Sequence, residues 1–238
     1  MQRCTLTLAI GALMVALSAI PSPALAQQKP TRTEIWDLQL GRPARDLPDG
    51  FSAYACGGNG GPPAMALNGF AEFHRCRAEP GGLREVYFRY DDELEYWAKA
   101  HGLATEIEQF SGTKAYGFPV ILSALFDEAG VLAGYRFISD ARDASRKRED
   151  AHALRNFLNA RYGREGWVCV DHPPAEGETP VGRTFIKQTC VKQNDGVRLE
   201  LRTRFFRKAG QSDVDPRSGR ETEGQFESHV YFEMRHAR

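Results

Sequence analysis

The sequence predicts an α+β protein with a mainly antiparallel sheet, built from two disulfide-stapled β-meanders, a central hairpin and two helices. Three observations predict this class. Segments with strand-like alternation, separated by turn signals, dominate the chain. Only two segments show helical periodicity, and four cysteines fall into two pairs with nearly equal spacing. Hairpins and meanders joined by few helices are typical of α+β folds.

The two cysteine pairs share a local pattern that suggests an internal duplication. Cys56 and Cys169 each follow an aromatic residue by two positions, and a Pro-Pro loop separates them from Cys76 and Cys190. A segment with a glycine and a strand-like run then follow in both copies; chance spacing is the alternative. Four cysteines allow three connectivities, and the repeat favours Cys56–Cys76 and Cys169–Cys190. A metal site is the competing interpretation, but no C-x-x-C spacing is present.

Residues 1–26 have the features of a cleavable signal peptide. Arg3 precedes an apolar, uncharged run, and Ala24-Leu25-Ala26 is a small-residue cleavage site. The run is shorter than the roughly 20 residues of a membrane-spanning helix, so we expect no membrane span. We expect a periplasmic or secreted protein, because an oxidising compartment allows disulfides to form. Residues 27–45 are polar and contain prolines, which predicts a flexible N-terminal segment.

The region 46–110 is expected to hold the first stapled meander and a helix. Three segments rich in apolar and aromatic residues predict strands: 51–56, 70–77 and 83–90. Apolar residues recur at helical spacing over 92–101, and Gly102 stands where a helix would end. The segment 103–117 has no clear period, and we expect a loop there.

The region 111–238 is expected to hold the hairpin, a long helix, the second stapled meander and a final strand. Four further segments have strand-like patterns: 118–126, 131–138, 197–206 and 226–234. An apolar stripe over 143–162 predicts the second helix. Asn194-Asp195-Gly196 predicts a type I′ turn in the second meander. The sequence leaves open whether 46–110 and 111–238 pack as one domain or as two.

No motif in the sequence establishes a catalytic or cofactor site. Ser111 and Lys114 match the S-x-x-K pattern of serine hydrolases, but the supporting motifs are absent and a polar loop is the preferred interpretation. Asp171 and His172 are adjacent on a strand and therefore point to opposite faces. The segment 213–219 departs from a calcium-binding loop. We therefore expect no cofactor and no metal, and we favour a binding protein over an enzyme.

One predicted strand carries a surface that suggests a partner. Arg198, Arg202 and Arg204 alternate with apolar residues and therefore share one face. If Glu227 or Glu233 of a neighbouring strand lies opposite, the arginines belong to an ordinary cross-strand charge pattern. Otherwise they form a patch for an anionic envelope polymer.

The charge balance and the exported location bound the function. Basic and acidic residues number 31 each, which gives no charge signature for nucleic-acid binding. The sequence predicts an exported, non-catalytic protein that binds a ligand, an envelope protein or an anionic envelope polymer. One alternative is a small envelope hydrolase whose site is assembled from residues distant in sequence. Another is a self-assembling protein with a free edge at the last strand, 226–234.

Overall fold

The computed structural model contains an antiparallel sheet with helices packed on one side. The structure describes residues 29–58, 64–142, 151–209 and 226–237. The strands are β1 (Phe51–Cys56), β2 (Arg84–Tyr90), β3 (Lys114–Ala115), β4 (Phe118–Phe126), β5 (Leu132–Ser139), β6 (Val168–Asp171), β7 (Ile186–Asn194), β8 (Val197–Phe206) and β9 (Glu227–His236). The α-helices are α1 (Glu93–Ala100), α2 (Ala104–Phe110) and α3 (Ala151–Tyr162). The signal peptide expected over 1–26, the start of the helix expected over 143–162, and the segment 213–219 lie outside the described residues.

The last strand lies inside the sheet and joins its two halves. The strand order is β1-β2-β4-β5-β9-β8-β7-β6, and β3 pairs with β4. Neighbouring strands in the described ranges are antiparallel. Because β9 is hydrogen-bonded to both β5 and β8, the expectation of a free edge over 226–234 is wrong. The mostly antiparallel sheet, the few helices and the two disulfides agree with the α+β class.

One face of the sheet is covered by α3 and by the N-terminal segment. Leu154 and Leu158 of α3 are fully buried in the core cluster, together with inward-facing residues of β8, β9 and β5. Trp36 packs edge-on against Phe137 of β5, with ring centroids 5.9 Å apart. The register aligns one row of residues across the sheet on this covered face, and all of them except the exposed Cys169 are buried in the core: Cys169, Cys190, Leu201, Phe232, Phe137, Leu122 and Phe88.

The opposite face is partly exposed over the half of the sheet from β5 to β6. The register there aligns Val170, Thr189, Arg202, Tyr231 and Ile138 across five strands. All five of these residues are exposed or half-buried. We refer to this side of β5, β9, β8, β7 and β6 as the open face. Its polar and charged side chains are therefore available to solvent or to a partner.

The two disulfides, Cys56–Cys76 and Cys169–Cys190, lie in different local structures. Cys169 and Cys190 are directly opposed on β6 and β7. Cys76 instead follows a 3₁₀ helix, Phe70–Arg75, so the strand expected over 70–77 is wrong. The structure does not confirm the internal duplication. Disulfides are typical of an oxidising, exported location.

The 3₁₀ helix has a packing reason. Its residues three positions apart point to the same side. The rings of Phe70 and Phe73 both contact Phe126 of β4, with centroids 5.6 and 5.4 Å apart. Strand geometry would direct these two side chains to opposite faces. A single buried contact surface therefore favours the helical turn.

The loop expected over 103–117 contains a short helix, α2, and the short strand β3. Helix α2 buries none of its residues, which explains why it has no apolar stripe. Helix α1 and the hairpin β4–β5 lie where the sequence predicts them. None of the helices in the described ranges is long and apolar enough to cross a membrane.

Candidate functional site

The three arginines that the sequence analysis identifies on β8 differ in their ion-pair partners. Arg198 and Arg202 both form ion pairs with Glu200, which lies between them on β8, at 2.6 and 2.5 Å. Burial raises the pKa of Glu200, but hydrogen bonds from these two guanidinium groups outweigh it, and the pKa lies below its ordinary value. Among the described residues, Arg204 has no ion-pair partner.

Glu227 and Glu233, the expected cross-strand partners of these arginines, form ion pairs with other residues. Glu227 forms an ion pair with Lys208 at 2.7 Å. Glu233 lies opposite Glu200 in the register and bonds to Arg136 of β5 at 2.8 Å. The positive charges of Arg198 and Arg202 are therefore compensated by Glu200 on their own strand, and Arg204 does not share this ion pair.

Arg204 belongs to a row of basic side chains that crosses four strands. Lys187 of β7 and His229 of β9 lie directly opposite it. The backbone N–H of His172 donates to the carbonyl of Lys187 at 2.7 Å, so His172 continues the row just beyond β6. The side chains lie on the open face, because Arg204 is two residues from Arg202. We refer to His172, Lys187, Arg204 and His229 as the basic row.

Two local features align the basic row. Asp195 and Gly196 form a two-residue turn with positive φ of 46° and 76°, which fixes the β7–β8 register. The Cys169–Cys190 disulfide joins directly opposed residues and fixes the β6–β7 register. With Asn194 paired to Val197 at the turn, the antiparallel register places Lys187 opposite Arg204. The turn residues and the two cysteines that set this register are both present in the sequence.

A pocket of about 380 Å³ lies beside the basic row. His172, Lys187 and Arg204 line it, together with Thr189 and Arg202 from the adjacent cross-strand row. The hydroxyl oxygen of Thr189 lies 3.0 Å from Nε2 of His172. The pocket thus offers ammonium, guanidinium, imidazole and hydroxyl groups to a single ligand group, a set of donors that suits an oxyanion.

One carboxylate, Glu178, interacts electrostatically with both Lys187 and Arg204. Lys187 forms an ion pair with Glu178 at 2.8 Å. A hydrogen bond from the backbone of Ala175 and then one from Lys187 hold the pKa of Glu178 below its ordinary value. Burial lowers the pKa of His229, and the positive charge of Arg204 lowers it further. The imidazole of His229 is therefore mainly neutral near pH 7.

An arginine–carboxylate cluster lies at the β5 border of the open face. Arg136 bonds to Glu79, Glu85 and Glu233 at 2.9, 2.9 and 2.8 Å. Ser123 donates to Glu85 at 2.6 Å. Because Arg136 is surrounded by three carboxylates, the cluster does not attract a further anion, and we assign it a structural role.

The Ser111–Lys114 pair is in contact. Nζ of Lys114 donates to Oγ of Ser111 at 2.8 Å and also to the backbone carbonyl of Glu108. Oγ of Ser111 lies 3.3 Å from the same carbonyl. Ser111 caps the end of α2, and Lys114 begins β3. In the described part of the chain, no group of three or more His, Cys, Asp or Glu side chains could hold a metal ion.

Comparison with family models, with curated proteins and with solved structures gives no match to this chain. The function is therefore inferred from the geometry of the described residues. Sequence reasoning identified Arg202 and Arg204, considered His172 only as a neighbour of Asp171, and assigned no role to Lys187 or His229. The basic row and its pocket bring these residues together.

Proposed function

We propose that this is an exported, non-catalytic binding protein that holds anionic groups of an envelope polymer against the basic row. The observation that carries the proposal is the alignment of Lys187, Arg204 and His229 beside a pocket. Lys187 and Arg204 are directly opposed like charges, which destabilise a sheet. A bound phosphate, sulfate or carboxylate group would compensate Arg204 with charge-assisted hydrogen bonds.

A polymer suits the row better than a small ion does. Neighbouring strands lie about 4.8 Å apart, so a row that crosses four strands is about 14 Å long. That length exceeds a single oxyanion and matches a chain that carries several anionic groups. Arg198 and Arg202 are paired with Glu200 and would add only longer-range attraction.

The proposed location is the periplasm or the exterior of the cell, after cleavage of a signal peptide near Ala26. The two disulfides support it, because the cysteine pairs would stay reduced in a typical cytosol. Mass spectrometry of the N-terminus of the exported protein tests this location. A mature N-terminus near Gln27 supports the proposal, and a protein retained in the cytosol with residues 1–26 intact argues against it.

A pair of matched variants tests the binding site. Arg204→Gln and Arg198→Gln each remove one positive charge from the same face of β8. Binding of polyphosphate, a polymeric phosphate probe, is measured by titration calorimetry at low salt. We expect Arg204→Gln to weaken binding by about 10-fold or more, since a charge-assisted hydrogen bond contributes about 1.5–3 kcal/mol. Arg198→Gln should change the affinity by less than about 3-fold.

The titration of His229 provides an independent readout. A bound anion stabilises the imidazolium, so polyphosphate should raise the pKa of His229, which NMR measures directly. Binding should accordingly tighten as the pH falls through that pKa. Equal losses in the two arginine variants would indicate diffuse attraction, and an unchanged His229 would place the polymer elsewhere. Either outcome contradicts the proposal.

The Ser111–Lys114 contact favours a second candidate function, a small envelope hydrolase. A lysine that activates a serine must accept its proton and must therefore be neutral. Nζ of Lys114 lies 2.8 Å from Oγ of Ser111, a distance at which a proton can pass between them. Labelling with a fluorophosphonate tests this candidate. An adduct on Ser111 that Lys114→Met abolishes would support a hydrolase, and the absence of any adduct would exclude this serine as a nucleophile.

A further inference from the structure

A second pocket, of about 570 Å³, lies on the side of the sheet opposite the basic row. Residues distant in sequence line it, including Glu34, Trp36, Tyr116 and Arg161. Trp36 packs against the covered face of β5, which places the pocket beside that face. Its volume is within the range of about 300–1,000 Å³ that is typical of small-molecule sites.

An aromatic surface borders this pocket. The ring of Tyr116 stacks on Phe157 of α3, with centroids 5.3 Å apart and planes 13° from parallel. Tyr116 also packs beside Trp36, at 5.5 Å, and the guanidinium of Arg161 lies 4.3 Å above the Trp36 ring. Tyr116 and Phe157 remain 37% and 46% exposed. We refer to Trp36, Tyr116 and Phe157 as the aromatic wall.

Tyr116 occupies a backbone position that tyrosine does not favour. Tyr116 and Gly117 form the two-residue turn between β3 and β4, and both have positive φ, 51° and 82°. The first position of such a turn favours Asn, Asp or Gly, because a larger side chain is strained there. The β7–β8 turn follows this preference with Asp195 at the corresponding position. The tyrosine therefore has a conformational cost, and it contributes a ring that an asparagine would not.

The rest of the lining is mainly polar and contains both signs of charge. Besides Phe110 and Gly117, the pocket is lined by three cations, two carboxylates, an amide and a hydroxyl: Arg32, Lys114, Arg161, Glu34, Glu108, Gln109 and Thr105. Arg32 already donates to the carbonyls of Phe110 and Gly112, at 3.1 and 2.5 Å. Two carboxylates repel a dense polyanion, whereas closely spaced donors and acceptors match a ligand that has many hydroxyl groups.

We propose that this pocket binds a saccharide ring. One face of a pyranose presents C–H groups of slight positive charge, which pack favourably on the negative face of an aromatic ring. Trp36 and Tyr116 line the pocket and would supply such a face on the side that Arg161 or Phe157 does not cover, and Glu34 and Gln109 would accept and donate hydrogen bonds to the hydroxyl groups. This site is independent of the basic row, because the two lie on opposite faces of the sheet and share no residue.

Saturation-transfer NMR on the full exported chain tests the proposal. The probes are glucose, N-acetylglucosamine and their β-linked disaccharides at millimolar concentration. We expect at least one saccharide to bind saturably, with the strongest transfer to the C–H groups of one ring face. Titration of that saccharide should quench the fluorescence of Trp36, and Trp36→Phe should remove the quenching.

A matched pair of tyrosine variants makes the test specific. Tyr116→Asn gives the Asn-Gly sequence that this turn favours, so the fold is retained while the ring is lost. We expect it to weaken saccharide binding by about tenfold. Tyr96→Ala removes a tyrosine that is 64% exposed on α1, outside the pocket, and should leave binding unchanged.

Several outcomes would overturn the proposal. These are the absence of transfer to every saccharide, equal binding by Tyr116→Asn and the wild type, or binding of salicylate, a planar aromatic acid, without any saccharide. Arg204→Gln should not affect saccharide binding. The proposal for the basic row and the proposal for this pocket can therefore be refuted separately. Circular dichroism of each variant confirms that the fold is retained.

Discussion

Replacing Arg136 by methionine should destabilise the fold strongly at neutral pH and weakly in acid. The guanidinium is 18% exposed and binds Glu85 and Glu233, whose side chains are only 12% and 6% exposed. Removing one partner of a buried ion pair costs about 3–5 kcal/mol, because an uncompensated charge is left behind. Arg235 remains 3.5 Å from Glu233 and compensates it in part. We therefore expect the free energy of unfolding to fall by about 3 kcal/mol at pH 7, the lower limit of this range.

The pH dependence follows from the pKa of Glu85. Burial raises this pKa, and the charge of Arg136 opposes the increase. A carboxyl group with a raised folded-state pKa contributes stability that is complete below the unfolded pKa and is lost as the pH rises through the folded pKa. Without Arg136, the pKa of Glu85 rises further. Protonation in acid then removes the uncompensated charge, and the deficit relative to the wild type should shrink to about 1 kcal/mol near pH 4.

Urea unfolding at pH 7 and pH 4, with the disulfides intact, measures both deficits. Arg142→Met is the control, because Arg142 is 57% exposed and pairs with Asp140 on the surface. Arg142→Met should lower the free energy of unfolding by less than about 1 kcal/mol. Adding Glu85→Gln to the Arg136 variant should recover part of the stability at pH 7. A deficit in Arg136→Met that is equal at both pH values, or no larger than that of the control, would refute the reasoning.

Three further changes test the packing of the fold. Replacing Cys169 and Cys190 by alanine should lower the free energy of unfolding by about 3 kcal/mol while far-ultraviolet circular dichroism is retained; an unchanged melting temperature would contradict this. Leu158→Ala creates a cavity between α3 and the sheet and should cost about 3 kcal/mol in urea unfolding. Gly134→Ala would place a Cβ atom 2.6 Å from the carbonyl oxygen of Met234 and force β5 from β9, for a loss of about 2 kcal/mol; wild-type stability would show that the strands can adjust.

Local patterns predicted several strands, including β4, which is buried on both faces, and β9, which alternates. The segments 118–126 and 226–234 correspond to β4 (Phe118–Phe126) and β9 (Glu227–His236) within two residues. Alternation and turn glycines are local signals, and Gly130 adopts the positive φ that its turn requires. The order of the strands has no such signal. Insertion of β9 between β5 and β8 depends on contacts between residues about one hundred positions apart, which no local period encodes.

The candidate sites differ in how far the sequence reveals them. Alternation placed Arg204 on a polar face. Lys187 was not predicted to lie opposite it, although the Asp195-Gly196 turn sets that register. The compensation of Arg198 by Glu200 was also visible, because residues two positions apart share a face. The aromatic wall was not predictable, since Trp36 and Tyr116 meet only when the N-terminal segment packs against the covered face.

The basic row is the place where this sheet departs from its own pattern of charge compensation. Arg198 and Arg202 share Glu200, Arg136 has three carboxylates, and Lys187 has Glu178. Stability alone would favour an acidic residue opposite Arg204, in place of His229.

The variant His229→Glu separates stability from function at this position. A glutamate opposite Arg204 should leave the free energy of unfolding unchanged or raise it by up to about 1 kcal/mol, because it supplies a cross-strand ion pair. The same carboxylate would occupy Arg204 and repel an anionic polymer, so polyphosphate binding should be lost. Urea unfolding and titration calorimetry on one preparation give both quantities. A variant that is stable and still binds would show that the alignment of basic residues serves no anionic ligand.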